Sequence, residues 1–438
     1  MAAIATAMAA ACSGGAGRTT LPQIPHGSAN PIRHVVFIVQ ENRSFNNFFL
    51  GYPGATTQSF GYDDTGRKRR LHSEPLAVVW DIDHSSKAFF LACDGRGQPR
   101  GTRCKMDGWN AEQVGFNAPK YAAYTYVRRG DVAPYWQMAQ EYALADRAFA
   151  SNLDGSFVAH QYIVAAYASG AVDFPTAQWG CEGGENDTVP TLLHDRKYGP
   201  TIPACFDNAT IASEADAAGV SWRFYADVLN GTGGFWSSYQ ADRPIFRSGR
   251  WQTNVISPPA QFLTDVANGT LADITWITPT WTTSDHPGFG AGQGPAWVAS
   301  VVDAIGASPF WNSTAIFIMW DDWGGLFDPV KPVYEDFDGL GFRVPLIVLS
   351  PYTPRGAVTH RQYETSSVLR FIENGFGLAP LAQSDARAND PALDPNLFDF
   401  NASPRPFHKI RGARPYTYWM SIQRRWGRQP APLRDFGD

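Results

Sequence analysis

Four short runs of this 438-residue chain are apolar almost without interruption and rich in β-branched or aromatic residues: 34–39, 273–277, 315–319 and 344–349. A strand with one wet face alternates apolar and polar positions, so continuous runs of this length mark strands covered on both sides, as in a central parallel sheet. Between them, residues 135–142, 156–168, 211–218, 296–305 and 366–371 place apolar side chains at helical spacing. Strands alternating with helices predict an α/β fold of three α/β/α layers. Residues 52–106 and 170–250 have little periodicity and much Gly, Trp, Tyr and Asp, and are expected to be long insertions capping the sheet edge. Residues 31–438 are read as a single domain, reached through a Gly-, Ser- and Pro-containing tether at 13–30.

The first twelve residues, MAAIATAMAAAC, are small and apolar, and Ala10-Ala11-Cys12 resembles a lipoprotein processing site. Export is therefore expected, with a lipidated Cys12 giving peripheral membrane contact. No later run approaches the ~20 apolar residues that span a bilayer. The other cysteines form two near pairs, Cys93 with Cys104 and Cys181 with Cys205. Two local disulfides fit this spacing, each removing on the order of 3 kcal/mol of unfolded-chain entropy, and imply a secreted, periplasmic or cell-envelope protein. A zinc site from Cys93, Cys104 and His84 is the alternative use of the first pair.

Composition narrows the partners. With 44% hydrophobic residues the chain can bury a large core, and with a formal net charge of −5 it advertises no basic surface for nucleic acid. Candidate chemistry gathers where the apolar runs end, because ligands of open α/β sheets bind at the carboxyl ends of strands. The first run leads into Glu41-Asn42-Arg43-Ser44-Phe45, the second into Ser284-Asp285-His286-Pro287, the third into Asp321-Asp322-Trp323-Gly324-Gly325. So many acids share one rim only if a cation offsets their repulsion, so a divalent metal is expected. Oxygen donors suit Ca, Mg, Mn or Fe, and a histidine admits Zn.

These segments resemble the signatures of the phosphoesterase family that holds bacterial phospholipases C, plant non-specific phospholipases C and related acid phosphatases. Glu41-Asn42-Arg43-Ser44-Phe45 is similar to its opening motif, Asp321 to Asp328 to its acidic Gly-Gly stretch, Gly341-Phe342-Arg343-Val344-Pro345 to a third, and Asp154 to Gln161 to the nucleophile segment. The resemblance spans about residues 31–375. It implies an alkaline-phosphatase-like fold and a metal held by Glu41, Asn42, Asp321, Asp322 and the hydroxyl of Ser156, which would also be the nucleophile. It implies that His84 and His286 bind phosphate or protonate the leaving alkoxide; His160, one helical turn after Ser156, contacts substrate or packs. Asn46 stands where the family commonly has Asp, and Pro329 where it commonly has His. His160-Gln161 looks closer to the acid phosphatase branch than to the plant enzymes.

The reading is thus metal-dependent hydrolysis of a phosphate monoester or a phospholipid through a phosphoserine. A non-catalytic, envelope-anchored receptor for a phospho-ligand or glycan is the alternative. Sulfate-ester hydrolysis is disfavoured, since the sulfatase signature is absent around Ser156.

Overall fold

The computed structural model describes residues 30–115, 117–176, 180–227 and 236–426; the signal-like segment, Cys12 and nearly all of the tether lie outside these. An eight-stranded sheet forms the centre. Its strands are β1 (His34–Gln40), β2 (Ala143–Ala145), β3 (Trp222–Tyr225), β4 (Val255–Ile256), β5 (Ile274–Ile277), β6 (Thr314–Trp320), β7 (Leu346–Leu349) and β8 (Ala357–Thr359), in the order β4-β3-β5-β1-β6-β7-β2-β8. β1 runs parallel to both neighbours, with Phe37 level with Trp276 and Phe317.

The helices that matter for the site are α1 (Phe45–Phe49), α2 (Ala133–Glu141), α3 (Ser156–Ala165), α4 (Gln261–Ala267), α5 (Gly294–Gly306), α6 (Thr365–Phe376) and α7 (Tyr416–Trp426). Strand geometry shows that both faces are covered. Phe317 packs on Phe371 of α6, while Trp320, three residues on and so on the opposite face, packs on Tyr135 of α2. In the Phe317 row, Trp276 donates its indole N–H to Ile163 O of α3 at 2.9 Å. The α/β/α layering is therefore as the apolar runs predict.

Three expectations need correction. Residues 346–349 form a strand buried on both faces, but β7 is antiparallel to β6 and β2. A parallel neighbour would need a crossover, and residues 321–345 contain no helix to supply one. The stretch 170–250 is not only a cap, because β3 lies inside it and pairs with β5. The zinc alternative fails because Cys93 is bonded to Cys104; Cys181 is likewise bonded to Cys205, so each insertion carries one disulfide. No described helix is long and apolar enough to cross a membrane.

Candidate active site

β1, β5 and β6 are parallel, so the residues just past their ends meet on one edge of the sheet. The segments after β1 and β6 are laced together by backbone: Asp321 N–H donates to Gln40 O at 3.0 Å and Arg43 N–H to Asp322 O at 3.1 Å. Asn42 sits at the hub with a left-handed φ of 55°, a conformation Asn tolerates better than most residues. Its backbone N–H donates to Asp321 Oδ1 at 2.9 Å. Its side-chain Nδ2 lies 2.8 Å from Asp322 Oδ2, 3.0 Å from Ser156 Oγ and 3.0 Å from His84 Nε2. Three other chain segments thus converge on one side-chain amide.

Ser156 opens α3, and its hydroxyl makes no capping bond because Gly155 occupies the cap. It is buried and lies 3.5 Å from Asp322 Oδ2. Asp322 Oδ1 is held by Gly324 N–H at 2.7 Å. The close approach requires glycine: a Cβ on Gly324, whose φ is +61°, would lie 2.1 Å from Asn42 O. Gly324→Ala is therefore expected to displace the Asn42 segment and weaken divalent-metal binding about 10- to 100-fold, the cost typical of losing support behind a ligand. Titration calorimetry with Mn²⁺ checks this; unchanged affinity would remove Gly324 from the site's support.

His160, one turn along α3, turns into the same acids. Its Nε2 lies 3.3 Å from both Glu41 carboxylate oxygens and 3.7 Å from Asp321 Oδ2. Burial pushes the imidazole down to about 4 against the pull of Asp321, so the ring is neutral at neutral pH and Nε2 can offer a lone pair. Glu41, His160 and Asp321 bring their donor atoms within 4.8 Å of one another, all buried. Asn42 Oδ1 and Asp321 Oδ2 are buried without a hydrogen-bond partner among the described residues. Such a donor set fits a divalent cation, which would satisfy these oxygens together. From sequence, His160 is expected only to contact substrate or pack; the one signal for a closer role is its four-residue spacing from Ser156, which puts both on one helix face.

His84 and His286 face each other across the rim, ring centres 5.9 Å apart. His84 Nδ1 is 2.7 Å from Ile82 O, so that nitrogen carries the proton and donates. His286 Nδ1 contacts Pro287 O, and Trp236 and Trp281 flank its ring at 6.1 and 5.2 Å. Trp222, Phe224 and Trp251, by contrast, belong to the main core. The loop carrying His286 is anchored by buried Asp285, whose N–H donates to Gln40 Oε1 at 2.9 Å, whose carbonyl accepts from Arg43 Nε at 2.8 Å, and whose Oδ2 accepts from Tyr135 Oη at 2.6 Å and Trp320 Nε1 at 3.1 Å. Burial pushes this carboxyl up to about 7.

All eight residues singled out from the sequence therefore surround one site. Their scaffold is a second convergence of the same motifs. Asp328 receives Asn46 N–H at 3.0 Å and pairs with buried Arg343 at 3.0 Å, and Arg343 stacks over Phe45 at 4.3 Å. Asn46 also has its own use: its amide donates to Gln58 O at 3.0 Å and accepts from Gln58 N–H at 2.8 Å. A carboxylate could accept there but not donate.

The Phosphoesterase family profile matches residues 32–379. Phospholipase C B of Mycobacterium tuberculosis is 26% identical, over 87% of this chain and 80% of that protein. Hemolytic phospholipase C of Pseudomonas aeruginosa is 24% identical over 87% of this chain, which spans only 58% of that longer protein. A solved structure of an alkaline phosphatase superfamily protein from Vibrio parahaemolyticus superposes with a TM-score of 0.39 at 10% identity, covering 82% of this chain and 71% of that one. The family match sets aside the non-catalytic receptor: the chain belongs to the Phosphoesterase family and is an enzyme that hydrolyses phosphoric esters.

Proposed function

We propose that the chain is a divalent-metal-dependent phosphoesterase of phospholipase C type, with Ser156 as nucleophile. The observation that carries this is the meeting of Ser156 Oγ, Asn42 Nδ2 and Asp322 Oδ2 beside the buried Glu41–His160–Asp321 group. Glu41, Asn42, Asp321, Asp322 and Ser156 would hold the ion, with His160 Nε2 as a further donor. When bound, the ion lowers the barrier to ionising the serine hydroxyl and offsets charge on phosphoryl oxygens. The imidazole among the donors favours Mn, Fe or Zn over Ca or Mg.

Ser156 Oγ attacks phosphorus while its hydrogen is directed at Asp322 Oδ2, and the bond to the leaving oxygen breaks. Backbone N–H groups at the start of α3 would face the phosphoryl oxygens. His84 or His286, in its imidazolium form, gives the proton on Nε2 to the leaving alkoxide. Water then releases the phosphorylated head group from Ser156. The relatives named above are phospholipases C, which supports a phospholipid diester over a monoester. The two disulfides support an oxidising compartment outside the cytoplasm.

The test is release of p-nitrophenol from its phosphorylcholine ester and its phosphate ester, with and without chelator. Faster turnover of the phosphorylcholine ester is expected, abolished by chelator and restored by a divalent metal. Faster turnover of the phosphate ester would make the enzyme an acid phosphatase, and chelator-insensitive turnover would remove the metal from the mechanism.

A further inference from the structure

The C-terminal segment is where charge separates from the rest of the chain. Residues 400–434 hold eight Lys and Arg and no Asp or Glu, in a chain whose formal net charge is −5. The acidic excess therefore lies wholly outside this segment. Lys409, Arg411, Arg414, Arg424 and Arg425 are exposed, and none forms an ion pair with a described residue.

α7 carries Arg424 and Arg425, and Lys409, Arg411 and Arg414 lie on the segment that leads into it. Its Trp419 is buried edge-on against Trp297 of α5, ring centres 5.4 Å apart. Helical spacing then turns Thr417, Ser421, Arg424 and Arg425 outward, with Tyr418 beside Arg425, seven residues away. The Arg414 guanidinium lies 5.6 Å over the Tyr418 ring, so Arg414, Tyr418 and Arg425 form one strip. Tyr418 Oη lies 3.1 Å from Gln293 Oε1, just before α5 and at the end of the loop that leads on from His286. At the other end, Arg411 and Arg129 line a groove of about 550 Å³ along α2.

We propose that this strip docks the enzyme onto an anionic lipid bilayer. Arginines interleaved with partly buried Tyr416, Tyr418 and Met420 match the interfacial zone of a bilayer, where cations meet lipid phosphates and aromatic rings sit at the head-group level. The acidic remainder of the surface is repelled by the same membrane, so the strip sets orientation as well as affinity. It adjoins the His286 loop, which brings a docked bilayer beside the proposed phospholipase site. Docking in this sense rests on the phospholipase reading, and the two are scored by separate measurements: docking by sedimentation, hydrolysis by p-nitrophenol release.

The full chain, in a Ser156→Ala background that spares the lipid, is sedimented with vesicles of phosphatidylcholine alone and with vesicles rich in phosphatidylglycerol. Binding to the anionic vesicles is expected, weakening steeply with salt. Since each surface cation adds roughly fivefold to partitioning, the combined Arg411→Glu, Arg414→Glu, Arg424→Glu and Arg425→Glu variant should lose more than about 100-fold. The corresponding four Arg→Lys substitutions should stay within about threefold, because charge is retained. In the active enzyme the charge reversals should leave soluble-ester turnover unchanged. Equal binding to both vesicles, binding insensitive to salt, or full binding by a folded charge-reversed variant would each overturn the proposal.

Discussion

Ser156→Ala is expected to lower kcat on the phosphorylcholine ester by about ten-thousand-fold or more, the scale on which removing a nucleophile acts, while leaving the fold intact. The separation of the two effects comes from where the side chain sits. Ser156 is 1% exposed at the first turn of α3, yet its hydroxyl caps nothing. Its loss deletes a contact with Asn42 and a long one with Asp322, worth about 1 kcal/mol in net hydrogen bonding. Urea midpoints within that margin, with turnover abolished, would place the loss in chemistry. Acid-quenched wild type should also carry phosphate on the peptide containing Ser156, and the variant should not. Turnover within about tenfold of wild type would mean another group attacks phosphorus.

The largest stability effect is expected at Arg343. Its Nε lies 3.0 and 3.1 Å from the two Asp328 oxygens, and its remaining nitrogens donate to Asp146 O at 2.6 Å and Thr56 O at 2.9 Å. Both partners are fully buried. Burial pushes the Asp328 carboxyl above its ordinary value, and the guanidinium pulls it back only in part. Arg343→Ala leaves that acid buried without its cation and opens a void over Phe45, so a loss of about 3–5 kcal/mol is expected. Urea unfolding measures it. The Arg343→Ala/Asp328→Ala double variant should lose less than the sum of the two single ones, because the pair is coupled. A single-variant loss below about 1 kcal/mol would show that the pair is dispensable.

Much of the site was legible in the chain because its chemistry clusters in short motifs at strand ends. Continuous apolar runs report burial on both faces, and the polar residues just past them report the rim. Glu41, Asn42, Asp321 and Asp322 were found that way, and the Gly324-Gly325 pair marked where the strand breaks, as the positive φ of both glycines shows. The same runs could not show strand direction, because burial is blind to polarity; hence β7. Short strands such as β3 and the edge strand β4, four and two residues long, carry too little pattern to stand out from the loops around them.

Local signals along the chain, whether period, spacing or a contiguous motif, were enough to give the α/β layering and the helix over Ile211–Ala218, to suggest the two cysteine pairings, and to nominate the residues that gather at one rim. Which atoms meet is a property of the assembled fold. His160 reaches Glu41 across 119 residues, and Asn42 reaches Asp322 across 280. Nothing in either neighbourhood specifies the partner, since those contacts exist only once β1 and β6 lie side by side and α3 is pressed onto their edge. The same holds for Arg343 and Asp328, which sit in separate motifs 15 residues apart and become a buried pair only when the loop between β6 and β7 closes over α1. Local physics chose the groups; strand order brought them within bonding distance.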